Sequence, residues 1–282
     1  MAASHARPRG ARRLPQAAFV CETATTMAIT AIEYSLIRSL RRDARLPLGG
    51  EVLELGQANW YGDVGVSDLR QDIETYAPPA ARGDLGRRLD AVLAADEPSL
   101  FDLARIFWDV FLQPASMTAI DFHGTAEALK LDLNGPVDLG RRFDLVMNLG
   151  TIEHVFNVAE AVRTVHEHCR PGGLMLHGMP LSGWLEHGFY SFNSTFYFDL
   201  AQANDYAVEV ALYTEWEPLR IVPLADRESI RRLADRDGIG PNSLLYVLLR
   251  RPSNEAPFRI PMQGYYAGQL SPQAAAAWRE DR

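Results

Sequence analysis

The sequence predicts an α/β protein with a doubly wound, seven-stranded, mostly parallel sheet and helices on both faces. Three observations predict it. Short apolar runs of strand length recur between residues 50 and 250, alternating in the second half with stretches whose apolar residues fall at helical spacing. Several runs also carry an acid or asparagine at the end with glycine close behind, which is how strands finish where such sheets bind ligands, outside their carboxyl ends.

Taken in order, Thr26 to Arg42 reads as a helix, with Ile29, Ile32, Leu36, Ile37 and Leu40 on one face and Arg38, Arg41 and Arg42 in the last turns, where cations suit the helix dipole. Pro47, Gly49 and Gly50 interrupt it, and residues 51–55 form the first strand of the sheet. Residues 63–116 read as a helical insertion after that strand. Its first part, 63–98, is weakly periodic and partly irregular. A clear helix then starts at Ser99, where Ser99 and Asp102 suggest a capping box, and Pro114 ends it. Strands are expected at 117–122, 129–134 and 143–148, a helix over 153–169 ended by Arg170-Pro171-Gly172-Gly173, and a strand at 174–179. A helix over 195–204 and strands at 208–214 and 244–249 complete a domain spanning 23–252. Residues 253–282 form a C-terminal extension, and 1–22, whose first twenty residues carry Arg7, Arg9, Arg12 and Arg13 and no acid, a disordered basic arm.

The bulk numbers narrow the function. A chain of 282 residues, 47% hydrophobic and 23% charged, can build one substantial core. A formal net charge of -8 opposes a phosphate backbone, so nucleic acid is not an expected partner. No apolar run approaches the ~18 residues of a membrane span, and no secretory leader is recognisable. Cys21 and Cys169 lie far apart with no metal-ligand spacing, so a reducing cytoplasm is the expected compartment.

The order of the strand ends carries the most information. Glu54-Leu55-Gly56, a strand ending in Asp121, Asp132-Leu133-Asn134, Phe143-Asp144-Leu145-Val146 followed by Asn148-Leu149-Gly150-Thr151-Ile152-Glu153-His154-Val155, and Arg170-Pro171-Gly172-Gly173 before another strand together resemble the class I S-adenosylmethionine-dependent methyltransferases. The resemblance spans about residues 50 to 250 and implies a Rossmann-like sheet with S-adenosylmethionine as cofactor and S-adenosylhomocysteine as product. It places Glu54, Gly56, Gln57 and Asn59 on the loop beside the methionine part of the cofactor and makes Asp121 the acid that accepts from the ribose hydroxyls. It also sets Asp132 and Leu133 beside adenine, and Asn148, Leu149 and Gly150 at the methionine portion. The loop after Gly56 lacks the further glycines of the family, and the segment 63–116 replaces the family's single helix and turn. A nicotinamide oxidoreductase is the rival, but it needs G-x-G-x-x-G, which Gln57 to Gly62 does not supply. A non-catalytic binding or scaffold protein of the same fold is a second alternative.

The loop from Pro180 to Phe196 holds Trp184, His187, Phe189, Tyr190 and Phe192, and the resemblance sets it over the transferring methyl group. Aromatic walls exclude water and orient a small organic acceptor; Trp60, Trp184, Phe189 and Tyr190 are the expected wall. A hydroxyl or amine acceptor must shed a proton, and histidine can take it near neutral pH. His187 is the first candidate and His154 the second; His177 lies inside a strand. Glu153-His154 is similar to the metal-binding Glu/His sets of ubiquinone-pathway O-methyltransferases, but the carboxylate expected three residues earlier is Gly150, so no metal is expected. The expected activity is methyl transfer to a hydroxyl or amine of a small organic molecule of secondary metabolism. The expected partners are that acceptor and a second copy of the chain, with no membrane.

Overall fold

The computed structural model describes residues 28–280, so the basic arm lies outside the described residues. A two-residue strand β1 (Ala28–Ile29) leads into α1 (Ala31–Arg42). The helix starts at Thr30, not Thr26, because Thr30 and Glu33 form a reciprocal capping box that satisfies amides the helix leaves free. β2 (Glu51–Leu55), β3 (Asn59–Trp60), α2 (Val66–Tyr76), α3 (Pro79–Ala94), α4 (Leu100–Phe111) and β4 (Ser116–Ile120) follow. Then come β5 (Phe143–Leu149), a 3-10 turn (Ile152–His154), α5 (Val158–His168), β6 (Cys169–Ser182), α6 (Ser194–Ala203), β7 (Ala207–Glu215), β8 (Arg220–Pro223), α7 (Ser229–Asp237), β9 (Ser243–Arg250) and α8 (Pro272–Glu280).

The main sheet has seven strands in the order β4-β2-β5-β6-β9-β7-β8. β4, β2, β5 and β6 are parallel neighbours; β9 is antiparallel to both β6 and β7, and β8 is antiparallel to β7. Alternate residues of each central strand enter opposite cores, which is the period-two consequence of burying both faces. Val52, Leu145, Met147, Leu174, Leu176, Tyr246 and Leu248 join α1 through α4 in one core. Leu53, Leu55, Val146, Met175, Leu245, Val247 and Leu249 join α5 and α6 in the other. Each such fully buried side chain contributes roughly 1.5–3 kcal/mol, so the pattern, not the connecting loops, sets the sheet.

The count of seven holds, but one expected strand is replaced. Residues 129–134 are not a strand: Leu129 makes one isolated bridge to Ile120, and Leu129 and Leu131 are both 37% exposed. Asp132 Oδ1 instead accepts from Asn134 N (2.9 Å) and Asn134 Nδ2 (2.8 Å), a local turn that competes with the ladder. The seventh strand is β8, at the opposite edge as a hairpin partner of β7. Residues 63–98, read as irregular, contain α2 and α3; few apolar residues hold them, Leu69 and Ile73 in one and Leu85 and Leu89 in the other. The expected helix over 153–169 begins only at Val158, capped by the Asn157 side chain, which leaves Glu153 and His154 on a separate 3-10 turn. β6 runs through Pro171-Gly172-Gly173, where the sequence suggests a break.

The C-terminal extension lies along the domain. Phe258 packs on the His166 ring, Arg259 N donates to Asn204 Oδ1 at 2.7 Å, Gly264 N donates to Asp199 Oδ2 at 3.0 Å, and Tyr265 stacks on Trp278 in the segment leading into α8.

The two ends of the parallel strands differ in charge. At the amino ends Arg170 and Arg141 tie Glu51 to Asp144, all half-buried or more exposed, so these pairs fix register more than they add stability. At and just beyond the carboxyl ends, Glu54 Oε1 and Glu153 Oε2 are buried without hydrogen-bond partners.

Candidate functional site

The loop after β2 meets the loop after β4 through one carboxylate. Gly56 takes φ +82°, a conformation that costs an L side chain energy, and its amide donates to Ile120 O at 2.8 Å. Asp121 is 9% exposed; its Oδ2 accepts from Gln57 N (2.8 Å), and its Oδ1 accepts from His123 N (2.7 Å) and Gly124 N (2.9 Å). The Gln57 side chain turns the same way, Oε1 accepting from Thr125 N at 2.6 Å. Gln57 and Asp121 therefore clamp the two loops together. A carboxylate offers about four acceptor positions, and three are taken here by the protein's own amides.

Glu54 sits beneath this clamp, 4% exposed, with Oε1 lacking any hydrogen-bond partner. Burial pushes its carboxyl up to about 8, against the opposing pull of the Trp108 indole and the Ala58 amide. Trp108 comes from α4, a contact between the insertion and this loop that no local spacing signals. A buried carboxyl with a spare oxygen at a strand end is a ready receiver for a donor or cation supplied from outside.

The third strand end is strapped internally. Asn148 is 1% exposed: its Oδ1 accepts from Ile152 N (3.0 Å), and its Nδ2 faces Met179 Sδ (2.9 Å) and His177 Nδ1 (3.4 Å). Gly150 at φ +86° and Thr151, whose hydroxyl donates to Leu55 O at 2.6 Å, turn the chain toward Glu153. Leu149 and Leu133 are buried beside this edge, whereas Asp132 is exposed and held by Asn134. Asn59 pairs with β1 across β3.

The loop after β6 packs directly onto the 3-10 turn. Phe189 N (2.8 Å) and Tyr190 N (3.3 Å) both donate to Glu153 O, and the Trp184 indole donates to Ser243 O at 3.2 Å while Trp184 N donates to Asn242 Oδ1 at 3.1 Å. Trp184 (φ +54°) and Glu186 (φ +61°) adopt left-handed backbone on either side of His187, conformations that persist in non-glycine residues only where surrounding contacts impose them. Gly183 is indispensable for the approach, since a Cβ there would stand 1.6 Å from Pro241 O.

The result brings His187 Nε2 to 3.7 Å from Glu153 Oε1, with the His154 and His187 rings 4.8 Å apart and the Trp184 ring 5.3 Å from His187. Glu153 is 1% exposed and its Oε2 has no partner; His187 opens to solvent at 37%. Burial lowers the His154 pKa, against the pull of Glu153, so its imidazole is neutral near pH 7. Phe189, Tyr190 and Phe156 form an exposed aromatic rim around this mouth.

Of the expected wall, Trp184, Phe189 and Tyr190 meet at this mouth, but Trp60 does not. It is fully buried, edge-on to Tyr34 and Phe107, in the core between α1 and α4. Strand β3 pairs it with Ile29 and turns the ring inward. His177 is likewise sealed, 2% exposed, and burial pushes its pKa down to about 4. Glu153 was legible only as part of the Glu153-His154 text; its contact with His187 belongs to the tertiary fold. A cavity of about 1070 Å³ lies elsewhere, between α6, α7 and the C-terminal extension.

Parallel strand ends bearing acid, loop and turn lie where an open α/β sheet binds its ligands, and here a pinned aromatic loop faces them. Residues 33–239 match the family described as "Methyltransferase domain", and the chain belongs to that family. Comparison with curated proteins finds no match. Among solved structures the chain is similar to the (4+2)-cyclase SpnF, at 12% identity and TM-score 0.38, covering 83% of this chain and 86% of that one. It is also similar to the glycopeptide N-methyltransferase MtfA complexed with S-adenosyl-L-homocysteine, at 15% identity and TM-score 0.30, covering 86% and 100%. A third is a SAM-dependent methyltransferase from Thermotoga maritima described as a possible histamine N-methyltransferase, at 16% identity and TM-score 0.34, covering 78% and 89%. Among the described residues no helix is long and apolar enough to cross a membrane.

Proposed function

We propose that the protein is an S-adenosylmethionine-dependent methyltransferase acting on a hydroxyl or amine of a small organic molecule. The observation that carries this reading is the pinned loop: its backbone is fastened to Glu153 O, so His187, Trp184 and Phe189 overhang the end of β5 in a family whose members transfer methyl groups. The residues present fit the cofactor at its methionine end, because Glu54 keeps an orphaned buried oxygen under a glycine turn. Glu54, Gly56, Gln57, Asn59, Asn148, Leu149 and Gly150 would hold that end, Asp121 the ribose and Asp132 with Leu133 the adenine. The cofactor, when bound, supplies an electrophilic methyl group on sulfur.

This chain's own residues do the rest. Trp184, Phe189 and Tyr190 orient the acceptor and exclude water, while His187 and His154, beside Glu153, are the acceptor-side catalytic groups. One observation favours the scaffold alternative: Asp121 already accepts three backbone amides, so ribose hydroxyls find about one free position unless the loop shifts. Calorimetric titration decides between the two. S-adenosylmethionine and S-adenosylhomocysteine should each bind at sub-millimolar concentration; absence of binding by both defeats the proposal and leaves the scaffold reading.

A further inference from the structure

Two imidazoles and one carboxylate converge at the mouth of the site. One ligand atom from each of Glu153, His154 and His187 lies within 4.8 Å of the other two. The set comes from two separate segments, the 3-10 turn after β5 and the loop after β6, and the chain fixes both. Ile152 N is held by Asn148 Oδ1, and the loop is pinned by Phe189 N and Tyr190 N on Glu153 O. Gly188 lets the two segments approach, since a Cβ there would stand 3.0 Å from Glu153 O and 3.2 Å from His154 Nδ1.

The independent observation is Glu153 itself. A carboxylate 1% exposed should be paired or hydrogen-bonded, yet Oε2 has no partner, and Oε1 stops 3.7 Å from His187 Nε2, too far for a direct hydrogen bond. Two donors bound to one first-row ion at about 2.1 Å stand roughly 3.0–3.4 Å apart, so small side-chain rotations close the observed gap around a cation. The cation would neutralise the buried charge that the protein otherwise leaves uncompensated.

We propose that Glu153, His154 and His187 bind a divalent first-row transition-metal ion with coordination positions open to the mouth. The donor set decides the type: two imidazoles and one carboxylate suit zinc and its neighbours and leave room for exogenous oxygen ligands, as in catalytic rather than structural sites. Calcium and magnesium, which take oxygen donors, are disfavoured. Tyr197 Oη is also buried without a partner. The third ligand, His187, lies far along the chain from Glu153 and His154. The metal site stands on these side chains alone.

The test uses the full-length, untagged protein stripped with chelator and dialysed. Co²⁺ is titrated and followed by its visible absorption, and Zn²⁺ by calorimetry. The expected result is one equivalent bound with micromolar or tighter affinity, weakened roughly tenfold or more in both His187→Ala and Glu153→Gln. Because Glu153 is buried and its variant can misfold, His187→Ala on the exposed loop is the deciding variant, and its thermal shift with S-adenosylhomocysteine reports folding and cofactor binding separately. No saturable binding by the wild type, or binding unchanged in a folded His187→Ala, overturns the proposal. Metal binding without any S-adenosylhomocysteine response would keep the metal site and remove the methyl-transfer reading.

Discussion

Glu54→Gln is the perturbation whose size follows most directly from the structure. Burial raises the Glu54 carboxyl from its ordinary 4.5 to about 8 in the folded protein. A raised folded value means that folding favours the protonated form: the contribution is fully present below about 4.5 and is lost as pH rises through about 8. Between pH 6 and pH 9 the wild type traverses about 2 pH units of that window at ~1.4 kcal/mol each, so this group removes about 3 kcal/mol. Glutamine keeps the shape and cannot ionise. The variant should therefore be spared that loss, and the gap in Tm between variant and wild type should widen by roughly 5–10 °C from pH 6 to pH 9. Thermal unfolding of both proteins across that range measures it, and every group that titrates alike in the two cancels. Parallel Tm curves would refute the claim that burial raises the Glu54 carboxyl. If Glu54 faces the cationic end of the cofactor, S-adenosylhomocysteine at pH 9 should stabilise the wild type more than the variant.

Three further outcomes follow from the geometry. Asp121→Ala removes the acceptor of three amides and should lower stability by about 1–3 kcal/mol with no cofactor present, read as a urea midpoint; an unchanged midpoint would mean the clamp is not structural. Gly183→Ala puts a Cβ into Pro241 O at φ +73° and should displace the loop, cutting methyl transfer at least tenfold, whereas Gly86→Ala, in open space on α3, should be neutral or gain about 0.5–1 kcal/mol. Equal effects of the two would refute the packing argument. His166 and His177 are both pushed down to about 4, chiefly by burial, so their contribution is fully present above about 6.5 and is lost as pH falls from there toward 4. Urea midpoints should drop by a few kcal/mol equivalent between pH 7 and 4.5, and less in His166→Gln and His177→Gln; an identical decline in both variants would count against it.

Hydrophobic period and strand-end punctuation were sufficient to read the α/β class and the six strands shared by expectation and structure, because burial on both sides of a parallel sheet leaves near-continuous apolar runs. The same text could not separate a strand from a turn at 129–134, where the Asp132 side chain competes with the backbone ladder through a bond that apolar patterning does not register. Helices α2 and α3 fall inside the segment read as a helical insertion, but their bounds were not legible because each buries only a few apolar residues. Trp60 looked like a pocket wall from its place beside a cofactor loop, and only the pairing of β3 with β1 shows that it faces the core.

The candidate site divides in the same way. Glu54, Asp121, Asn148 and His154 are marked by position relative to strand ends, which is a local property of the chain. That Glu54 meets Trp108, that Asp121 is spent on Gln57, and above all that Glu153, His154 and His187 share one small volume are set by which loops the sheet order brings together. Sequence by itself determined the α/β class and six of the seven strands, since these follow from periodicity and residue type, and the ordered strand-end motifs pointed to the family by resemblance. Tertiary structure alone decided which polar groups at the strand ends are already satisfied by the protein and which are left without a partner, because hydrogen bonding and burial depend on neighbours that are distant along the chain.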